Sequence, residues 1–187
     1  MRNYSVKMLD SREKARCVTK FLLSEYAFEN GALTPGEIGQ IKVNPAKSLN
    51  DPGFRYWYAE SSEGEIISAI GVRENEHKTG GYTGDYFAVH KNYRHAGIAS
   101  EMLDVMISHV EVQKGRYLII DTSEKDSYSA IRHLLEEKGF LLVGYLPEYY
   151  NKGEGTVLYY KGINSSVPWK VRMDSIKILF SKYVELR

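Results

Sequence analysis

The stretch DYFAVHKNYRHAGIASEMLDVM, residues 85–106, decides the fold of this chain. It opens with a short apolar and aromatic run, Tyr-Phe-Ala-Val, that is typical of a buried strand. After a basic turn containing Arg94 and Gly97, apolar residues recur at helical spacing from Ile98 to His109. The stretch therefore predicts a strand that turns through a glycine into an amphipathic helix.

A turn of this kind presents free backbone N–H groups at the positive end of the helix dipole, which favours an anion such as phosphate. Gly97 lacks a Cβ, so an anion can approach the main chain closely, and Arg94 adds a full positive charge. The turn therefore predicts a phosphate-binding site. An ordinary strand-to-helix connection is the alternative.

The sequence of this turn resembles a known motif. RHAGIA at residues 94–99, after FAV at residues 87–89, is similar to the acyl-CoA-binding motif [Q/R]-x-x-G-x-[G/A] of the GNAT superfamily of N-acyltransferases. A second stretch, residues 121–161, is similar to a GNAT subgroup in the order DTS, YSAIRHLLEEKGF, PEYYNKGE and VLYYK. The resemblance implies an N-acetyltransferase that uses acetyl-CoA as acyl donor and a primary amine as acceptor, without a metal.

The resemblance also implies which residues hold the acyl-CoA. Backbone amides of the turn would bind the pyrophosphate, and a backbone N–H near residues 87–89 would stabilise the oxyanion, because in the family this strand splays from its neighbour. Tyr128 occupies the position where many relatives have an asparagine on the pantetheine arm. The predicted CoA-binding residues are Phe87, Ala88, Val89, Arg94, His95, Ala96, Gly97, Ile98, Ala99, Ser100 and Tyr128.

Amide formation needs a proton acceptor, because a lysine-type amine has a pKa of about 10.4. The candidates are three carboxylates on the central strands, Asp85, Glu74 and Glu76. By alternation Asp85 shares a face with Phe87 and Val89, which favours it as the base. The alternative is that Asp85 is a solvated strand-end residue and that a water chain relays the proton.

The leaving thiolate benefits from a proton donor, and here the chain departs from the family. Most GNAT members have a tyrosine four residues before the Gly-Phe pair, where this chain has Leu135. Tyr128, Tyr150 or Tyr86 could replace it, or the thiolate leaves unassisted, or the protein does not catalyse. The catalytic residues predicted are therefore Asp85, Tyr128 and Tyr150. Arg132 is interpreted as structural, forming a clamp with Tyr128 and Asp121.

Composition limits the other functions. The 187 residues suffice for one domain with a sizeable core. With 25 basic and 24 acidic residues the net charge is near zero, so nucleic acid is not expected as a partner. The single cysteine, Cys17, fits a reducing compartment and is predicted in the core. Without a leader or a long apolar run, a cytoplasmic protein that does not enter membranes is expected.

The pattern of elements predicts an α/β (α+β) fold: a single GNAT-like domain with a mixed, mostly antiparallel sheet flanked by helices. The predicted strands cover residues 4–9, 55–60, 65–72, 82–89, 117–121, 140–145 and 156–161. One helix follows a capping box at Asp10 and Glu13, and a short second one follows Thr34, Pro35 and Glu37. An exposed loop is predicted over residues 44–52. The last two helices cover residues 98–110 and 127–138.

The end of the chain forms a separate unit in this interpretation. The GNAT domain is predicted over residues 1–163, and a linker and amphipathic helix over residues 164–187. Apolar residues recur at helical spacing in this segment: Trp169, Met173, Ile176, Phe180 and Tyr183. Such a stripe must be covered, either by its own domain or in a homodimer contact.

Overall fold

The structure is a computed structural model and describes residues 3–29 and 31–164. The strands in this part are β1 (Tyr4–Met8), β2 (Phe54–Ser61), β3 (Ile66–Glu74), β4 (Gly81–Val89), β5 (Tyr117–Ser123), β6 (Leu141–Asn151) and β7 (Glu154–Gly162). The helices are α1 (Arg12–Leu22), α2 (Pro35–Ser48), α3 (Ile98–Val112) and α4 (Ser129–Glu137). Short 3₁₀ helices, Lys91–Tyr93 and Asp126–Tyr128, precede α3 and α4.

The strands form one sheet that separates two layers of helices. The strand order is β1-β2-β3-β4-β5-β7-β6, and every neighbouring pair is antiparallel except β4 and β5. Helices α3 and α4 cover one face, where Met102, Leu103, Met106 and Leu135 are completely buried. Helices α1 and α2 cover the other face, against β2 and β3. The predicted mixed, mostly antiparallel sheet flanked by helices is confirmed.

Strands β4 and β5 separate soon after they begin. Residues 81–83 of β4 pair with residues 117–119 of β5, and the pairing stops there. Residues 84–89 of β4 keep β3 on one side, but no strand within residues 3–29 and 31–164 lies along their other edge. A cleft therefore opens toward the carboxyl end of β4, directly before the turn into α3.

Strand β4 also contains a β-bulge. Gly71 of β3 lies opposite two residues, Asp85 and Tyr86, because the register shifts by one residue at this point. The extra residue places Asp85 on the face that carries Tyr86, the face covered by α1 and α2. Phe87 and Val89 pack on the α3 face. The prediction that Asp85 shares their face is therefore wrong, since strict alternation does not hold across a bulge.

Helix α2 extends further than the sequence predicted. The predicted exposed loop over residues 44–52 is wrong, because the helix continues through Pro45 and ends at Ser48. Pro45 has no N–H, so it leaves the carbonyl of Ile41 without its helical partner. The hydroxyl of Thr19 in α1 lies 3.4 Å from that carbonyl oxygen and donates to it. Contact with α1 thus compensates for a proline inside the helix.

One of the two predicted N-caps of α1 and α2 is confirmed, and the other is wrong. The predicted capping box of α2 is confirmed, with Glu37 N donating to Thr34 Oγ1 at 3.3 Å and Thr34 N donating to Glu37 Oε2 at 2.8 Å. For α1, capping by Asp10 is wrong. Ser11 is the N-cap, and its hydroxyl accepts from the amide of Lys14 at 3.2 Å.

Cys17 is exposed, so its prediction as a core residue is wrong. The buried residues of α1 are Ala15, Val18, Phe21 and Leu22. Cys17 is one residue from Val18, and each residue step rotates a helix by about 100°. That rotation carries its side chain off the buried stripe.

Strands β6 and β7 form a longer hairpin than predicted. The PEYY sequence, residues 147–150, was predicted in a loop but belongs to β6, and the chain turns at Lys152 and Gly153. The predicted boundary at residue 163 and the C-terminal helix concern a segment, residues 165–187, that lies outside the described residues. Within residues 3–29 and 31–164, no helix is both long and apolar enough to span a membrane.

Candidate active site

The turn between β4 and α3 has open backbone donors. Gly97 is the N-cap residue of α3 with φ of 78°, and no side chain caps the helix. The first helical bond runs from the amide of Glu101 to the carbonyl of Gly97. The amides of Ile98, Ala99 and Ser100 therefore have no acceptor within the helix. A Cβ built on Gly97 meets no atom within 4 Å, so the space beside the turn is open.

Arg94 braces this turn against the segment that follows α1. Its Nε donates to the carbonyl of Val89 at 3.3 Å, and its Nη2 donates to the carbonyl of Ala27 at 3.4 Å. Arginine carries five N–H donors, so these two bonds leave others available while the charge stays at the turn. His95 and Ala96 are exposed beside it, and His95 has a positive φ of 63°.

The free edge of β4 directs main-chain donors into the cleft. The amide of His90 donates to the carbonyl of Ile67 in β3 at 2.8 Å. In an antiparallel ladder alternate residues bond to the same neighbour, so Ala88 also faces β3. The N–H groups of Phe87 and Val89 therefore point to the opposite edge. β5 has diverged there and offers no acceptor.

Asp85 is held at the bulge by two side chains from distant parts of the chain. The Nδ2 of Asn44 lies 3.0 Å from Oδ2 and 3.2 Å from Oδ1 of Asp85, and the hydroxyl of Tyr56 donates to Oδ2. Burial raises the pKa of Asp85, although both hydrogen bonds oppose the rise. Asp85 is therefore not a solvated strand-end residue. A raised pKa makes it a stronger base than an ordinary aspartate.

The other two carboxylates proposed as bases lie at the wrong end of the sheet. Glu74 is the last residue of β3, and its Oε1 accepts from the amide of Gly80 at 2.9 Å. The side chain of Glu76 is 86% exposed in the following turn. Both lie beside the start of β4, whereas the cleft opens at its end. The structure does not bring them together with the turn before α3.

A second carboxylate lies on the strand beyond the cleft, on the same side of the sheet as Asp85. Strands β4 and β5 begin in register, so Asp121 of β5 lies on the same face of the sheet as Asp85. The hydroxyl of Tyr150 donates to Asp121 Oδ2 at 3.0 Å, and Thr156 Oγ1 lies 3.4 Å from the same hydroxyl. Burial, followed by the charge of Asp121, raises the pKa of Tyr150. Its phenol is protonated at neutral pH, and its proton is directed to Asp121.

Tyr128 is the last residue of the short 3₁₀ helix between β5 and α4. Among the described residues, no hydrogen-bond partner of its hydroxyl is found. Burial, followed by the charge of Glu154, raises the pKa of Tyr128, and the charge of Arg94 acts in the opposite direction. This phenol is therefore protonated at neutral pH, and its proton is not committed to another side chain.

Leu135 of α4 occupies the position of the missing family tyrosine. Its side chain is completely buried in the core that α3 and α4 form with the sheet. A tyrosine there would have to enter a filled core, which is destabilising. Tyr86, the third alternative donor, donates its hydroxyl to Gln40 Oε1 of α2 at 2.9 Å. Of the phenols considered from the sequence, Tyr128 is the one with a free proton.

Arg132 is structural, as interpreted from the sequence, but its predicted partner is wrong. Its Nη1 donates to the carbonyls of Ser123, at 2.9 Å, and Lys125, at 2.7 Å. Asp121 is bonded to Tyr150 instead. Arg132 therefore fixes the main chain between β5 and α4, the segment that ends at Tyr128.

A cavity of about 320 Å³ lies between the end of α1 and the start of α2. Its walls are mostly apolar and include Leu23, Phe28, Leu33 and Ile38, with Glu25 and Glu29 among the lining residues. The segment that lines it is joined to the turn before α3, because Lys91 N donates to the carbonyl of Tyr26 at 2.9 Å.

Sequence reasoning missed the two residues that hold Asp85. Asn44 was assigned to an exposed loop, and Tyr56 was one tyrosine among many on the strands. Gly71 was the available signal, since a Cβ there would lie 2.6 Å from the ring of Tyr56 and 3.0 Å from Cβ of Asp85. A glycine inside a strand often marks a bulge or a close approach.

Comparison with known proteins agrees with this geometry. Residues 52–141 match the family model of the acetyltransferase (GNAT) domain, a match that spans β2 to α4 and includes the bulge, the cleft and the turn. The chain is therefore an acyltransferase. Over residues 52–141 it matches the GNAT family of acetyltransferases. No curated protein sequence matches the chain significantly.

Solved structures share the fold at low sequence identity. A GNAT-family acetyltransferase from Desulfovibrio desulfuricans is 20% identical, with a TM-score of 0.72 over 85% of this chain and 98% of its own. The ribosomal-protein-S18-alanine N-acetyltransferase of Escherichia coli is 13% identical, with a TM-score of 0.69 over 88% and 97%. An aminoglycoside 6'-N-acetyltransferase complexed with coenzyme A is 15% identical, with a TM-score of 0.66 over 84% and 96%.

Proposed function

We propose that this enzyme transfers an acetyl group from acetyl-CoA to a primary amine, on a small molecule or an exposed amino group, by direct attack. The observation that carries the proposal is the free edge of β4. There the amides of Phe87 and Val89 follow a partly buried carboxylate, Asp85, and precede the uncapped start of α3. That two structural relatives are N-acetyltransferases, one of them holding coenzyme A, supports this choice.

The turn before α3 is proposed to hold the CoA pyrophosphate. Free amides at a helix N-terminus attract phosphate, and the open space beside Gly97 lets the anion approach the main chain. Arg94 and the exposed residues His95 and Ala96 border the same space. The thioester would then extend along the free edge of β4. We expect the other predicted CoA-binding residues to line this path.

Asp85 is proposed as the proton acceptor. An alkylammonium ion must lose a proton before its nitrogen can attack, and the raised pKa of Asp85 favours that transfer. The neutral nitrogen then forms a bond to the thioester carbonyl carbon, and the carbonyl oxygen becomes negatively charged. The amides of Phe87 and Val89 point into the cleft, where a hydrogen bond to this oxygen stabilises the intermediate.

Tyr128 is proposed as the donor to the leaving group. The intermediate collapses when the carbon–sulfur bond breaks, and the thiolate of CoA takes the free proton of Tyr128. Tyr150 is less suited to this step, because its proton is bonded to Asp121. We propose instead that the Tyr150–Asp121 pair helps to position the amine. The nitrogen of the intermediate carries one proton more than the amide, and it releases that proton to solvent as the amide forms. The products are the acetylated amine and CoA with a free thiol. Solvent takes up the proton held by Asp85 and restores that of Tyr128, so one proton is released overall.

A non-catalytic CoA-binding module is the second candidate, and the burial of Leu135 favours it. This chain lacks the family tyrosine, and the core leaves no place for one at that position. Such a module would bind CoA at the same turn without transferring the acetyl group.

Thiol release tests the proposal. The full chain is incubated with acetyl-CoA and a panel of small amines and peptide N-termini, and free thiol and acetylated product are measured. Release that depends on one class of amine is the expected result. Thermal stabilisation by CoA without any release would select the non-catalytic module. The absence of both would contradict both functions.

A further inference from the structure

The half of the sheet beyond the cleft has one face without a described helix. Helix α4 packs on β6, and α3 packs on β5, both on the same side. The main contacts of helices α1 and α2 with the sheet are to β2 and β3. The side of β5, β7 and β6 that continues the α1 and α2 face is therefore open.

The register identifies the residues on this side. Ile119 and Leu141 are the cross-strand neighbours of Tyr160, the ring of Tyr117 lies 5.6 Å from that of Tyr160, and Leu158 follows along β7. We call these five residues the open sheet face. Each is only partly buried, and none of them joins either apolar core of the described chain.

The opposite side of the same strands is covered by α3 and α4. Leu118 and Tyr159 are buried in the core with α3 and α4, and Ile120 packs against that core. The contrast between the two sides of β5 and β7 shows that the open sheet face has the composition of a core surface. A contiguous apolar surface that is only partly buried can mark an interaction site.

The chain leaves the described region next to this surface. After β7 ends, Ile163 N donates to the carbonyl of Arg116 at 3.0 Å, and Asn164 N donates to the carbonyl of Gly115 at 3.2 Å. These bonds fix the exit point at the end of the sheet where β5 begins and β7 ends. Residues 165–187 continue from there, with apolar residues at helical spacing between Trp169 and Tyr183.

The length of this segment fits the open sheet face. A linker of residues 165–168 reaches at most about 14 Å. This length is enough for the chain to turn from the end of β7 onto either face of the sheet. A helix over residues 169–183 would be about 22 Å long. Strand β7, nine residues long, spans about 30 Å. The helix would therefore lie along the strand without overhanging it.

We propose that residues 165–187 pack across the open sheet face of their own chain, with the apolar stripe that includes Trp169 and Ile176 against Tyr160 and its neighbours. The other side of these strands already holds α3 and α4, so this side is the one left to cover. The segment thus supplies a helix layer to the half of the sheet that lacks one. A second copy of the chain is the competing occupant.

Tryptophan fluorescence of the full chain tests this packing, because the chain has two tryptophans and Trp57 is only 6% exposed. We expect little quenching by acrylamide in the wild type. Tyr160→Lys places a charge at the centre of the open sheet face, so we expect a red shift and a several-fold larger quenching constant. Tyr149→Lys is the matched control, on the same hairpin at a residue 58% exposed, and should behave as wild type.

Strong quenching of one tryptophan in the wild type, or no change in Tyr160→Lys, would overturn the proposal. Circular dichroism shows whether the variant is folded, and cross-linking gives an independent answer if it is not.

In a Cys17→Ser background, Ile119→Cys with Ile176→Cys should form a disulfide within one chain at low protein concentration. Val43→Cys on α2 replaces Ile119→Cys as control and should form none. A disulfide-linked dimer would identify a second copy as the occupant and overturn the proposal, as would the absence of any product.

Discussion

At the scale of single residues, Asp85 carries the proposed proton transfer. We expect Asp85→Asn to lower turnover by about 10²–10⁴-fold, because an amide cannot accept the proton of the amine. Thiol release at saturating substrates measures the loss. Asp104→Asn is the control, since Asp104 pairs with Lys138 at 2.6 Å on the surface and should keep wild-type turnover. Equal rates in the two variants would refute the role of Asp85.

The pH dependence of the enzyme should report the same group. Activity requires ionised Asp85, so it should fall as the pH drops through the raised pKa of Asp85. Asn44 donates to the carboxylate and favours the ionised form. Asn44→Ala should therefore raise the pKa of Asp85 further and move the acid limb of kcat/KM to higher pH. A pH profile with an unmoved acid limb would contradict this assignment.

Single residues also show where sequence reasoning reaches its limit. The choice of Asp85 followed from its residue type and its place on the strand before the turn. Its face and its partners did not follow, because a bulge changes the alternation, and Asn44 and Tyr56 reach it from other parts of the chain. Cys17 illustrates the same limit, since one residue step along α1 separates a buried position from an exposed one.

At the scale of elements, the turn before α3 is expected to bind CoA through its main chain. Gly97→Ala puts a methyl group into the open space beside the free amides, and should raise KM for acetyl-CoA without changing KM for the amine. Gly153→Ala is a matched control, because Gly153 at the β6–β7 turn has φ of 76° and also has no atom within 4 Å of a built Cβ.

Both substitutions strain a left-handed residue by about 1–2 kcal/mol, so both should lower the melting temperature similarly. Only Gly97→Ala should weaken CoA binding, measured by calorimetry. If both variants bind CoA equally well, the turn does not hold the pyrophosphate.

The bulge is the second element that can be tested. Gly71→Ala would force a methyl group against the ring of Tyr56 and against Asp85, at 2.6 Å and 3.0 Å. We expect a loss of stability of about 1–3 kcal/mol and a large loss of turnover, because Asp85 is displaced. Gly39→Ala in α2 meets no atom within 4 Å and should stabilise the helix by up to about 1 kcal/mol. Chemical denaturation and thiol release measure the two effects.

Local patterns were sufficient to predict most elements. Apolar periodicity and capping residues placed the strands and three helices, because these features depend on neighbours in sequence. The end of α2 was missed because a proline normally ends a helix, and here Thr19 of α1 satisfies the carbonyl that Pro45 leaves free. The length of the β6–β7 hairpin was underestimated, since the resemblance placed PEYY in a loop before the last strand.

At the scale of the whole molecule, Glu60 joins the first strand and the first helix to the sheet. Its carboxylate accepts from Lys14 of α1 and from Lys7 of β1 at 2.5 Å. The hydrogen bond from Lys14, followed by that from Lys7, lowers the pKa of Glu60. A lowered pKa in the folded state stabilises the fold above the unfolded pKa of about 4.3 and loses this effect as the pH falls through the folded value.

Glu60→Gln should therefore lower the melting temperature at neutral pH, and the difference from wild type should shrink as the pH falls below about 4. Glu76→Gln, at a side chain that is 86% exposed, should cause little change at either pH. Melting curves over a pH series test the prediction. A difference that does not vary with pH would show that Glu60 acts by packing and not by its charge.

The overall architecture was predictable because the order of strands and helices, together with the resemblance at the turn, left few arrangements. Local pattern predicted the candidate site only where it is continuous in sequence, from Asp85 to Ser100, and the resemblance added Tyr128 and Tyr150. Asn44 and Tyr56 join Asp85 through tertiary structure, so no local pattern connects them to it.

The unequal edges of β4 should be visible in the exchange of its amide protons with deuterium. The amides of Ala88 and His90 lie in the ladder with β3 and should exchange slowly, whereas those of Phe87 and Val89 face the cleft and should exchange quickly. Every second amide at the end of β4 should therefore take up deuterium early. If acetyl-CoA occupies the cleft, the early labels should disappear and the late ones should remain as they were.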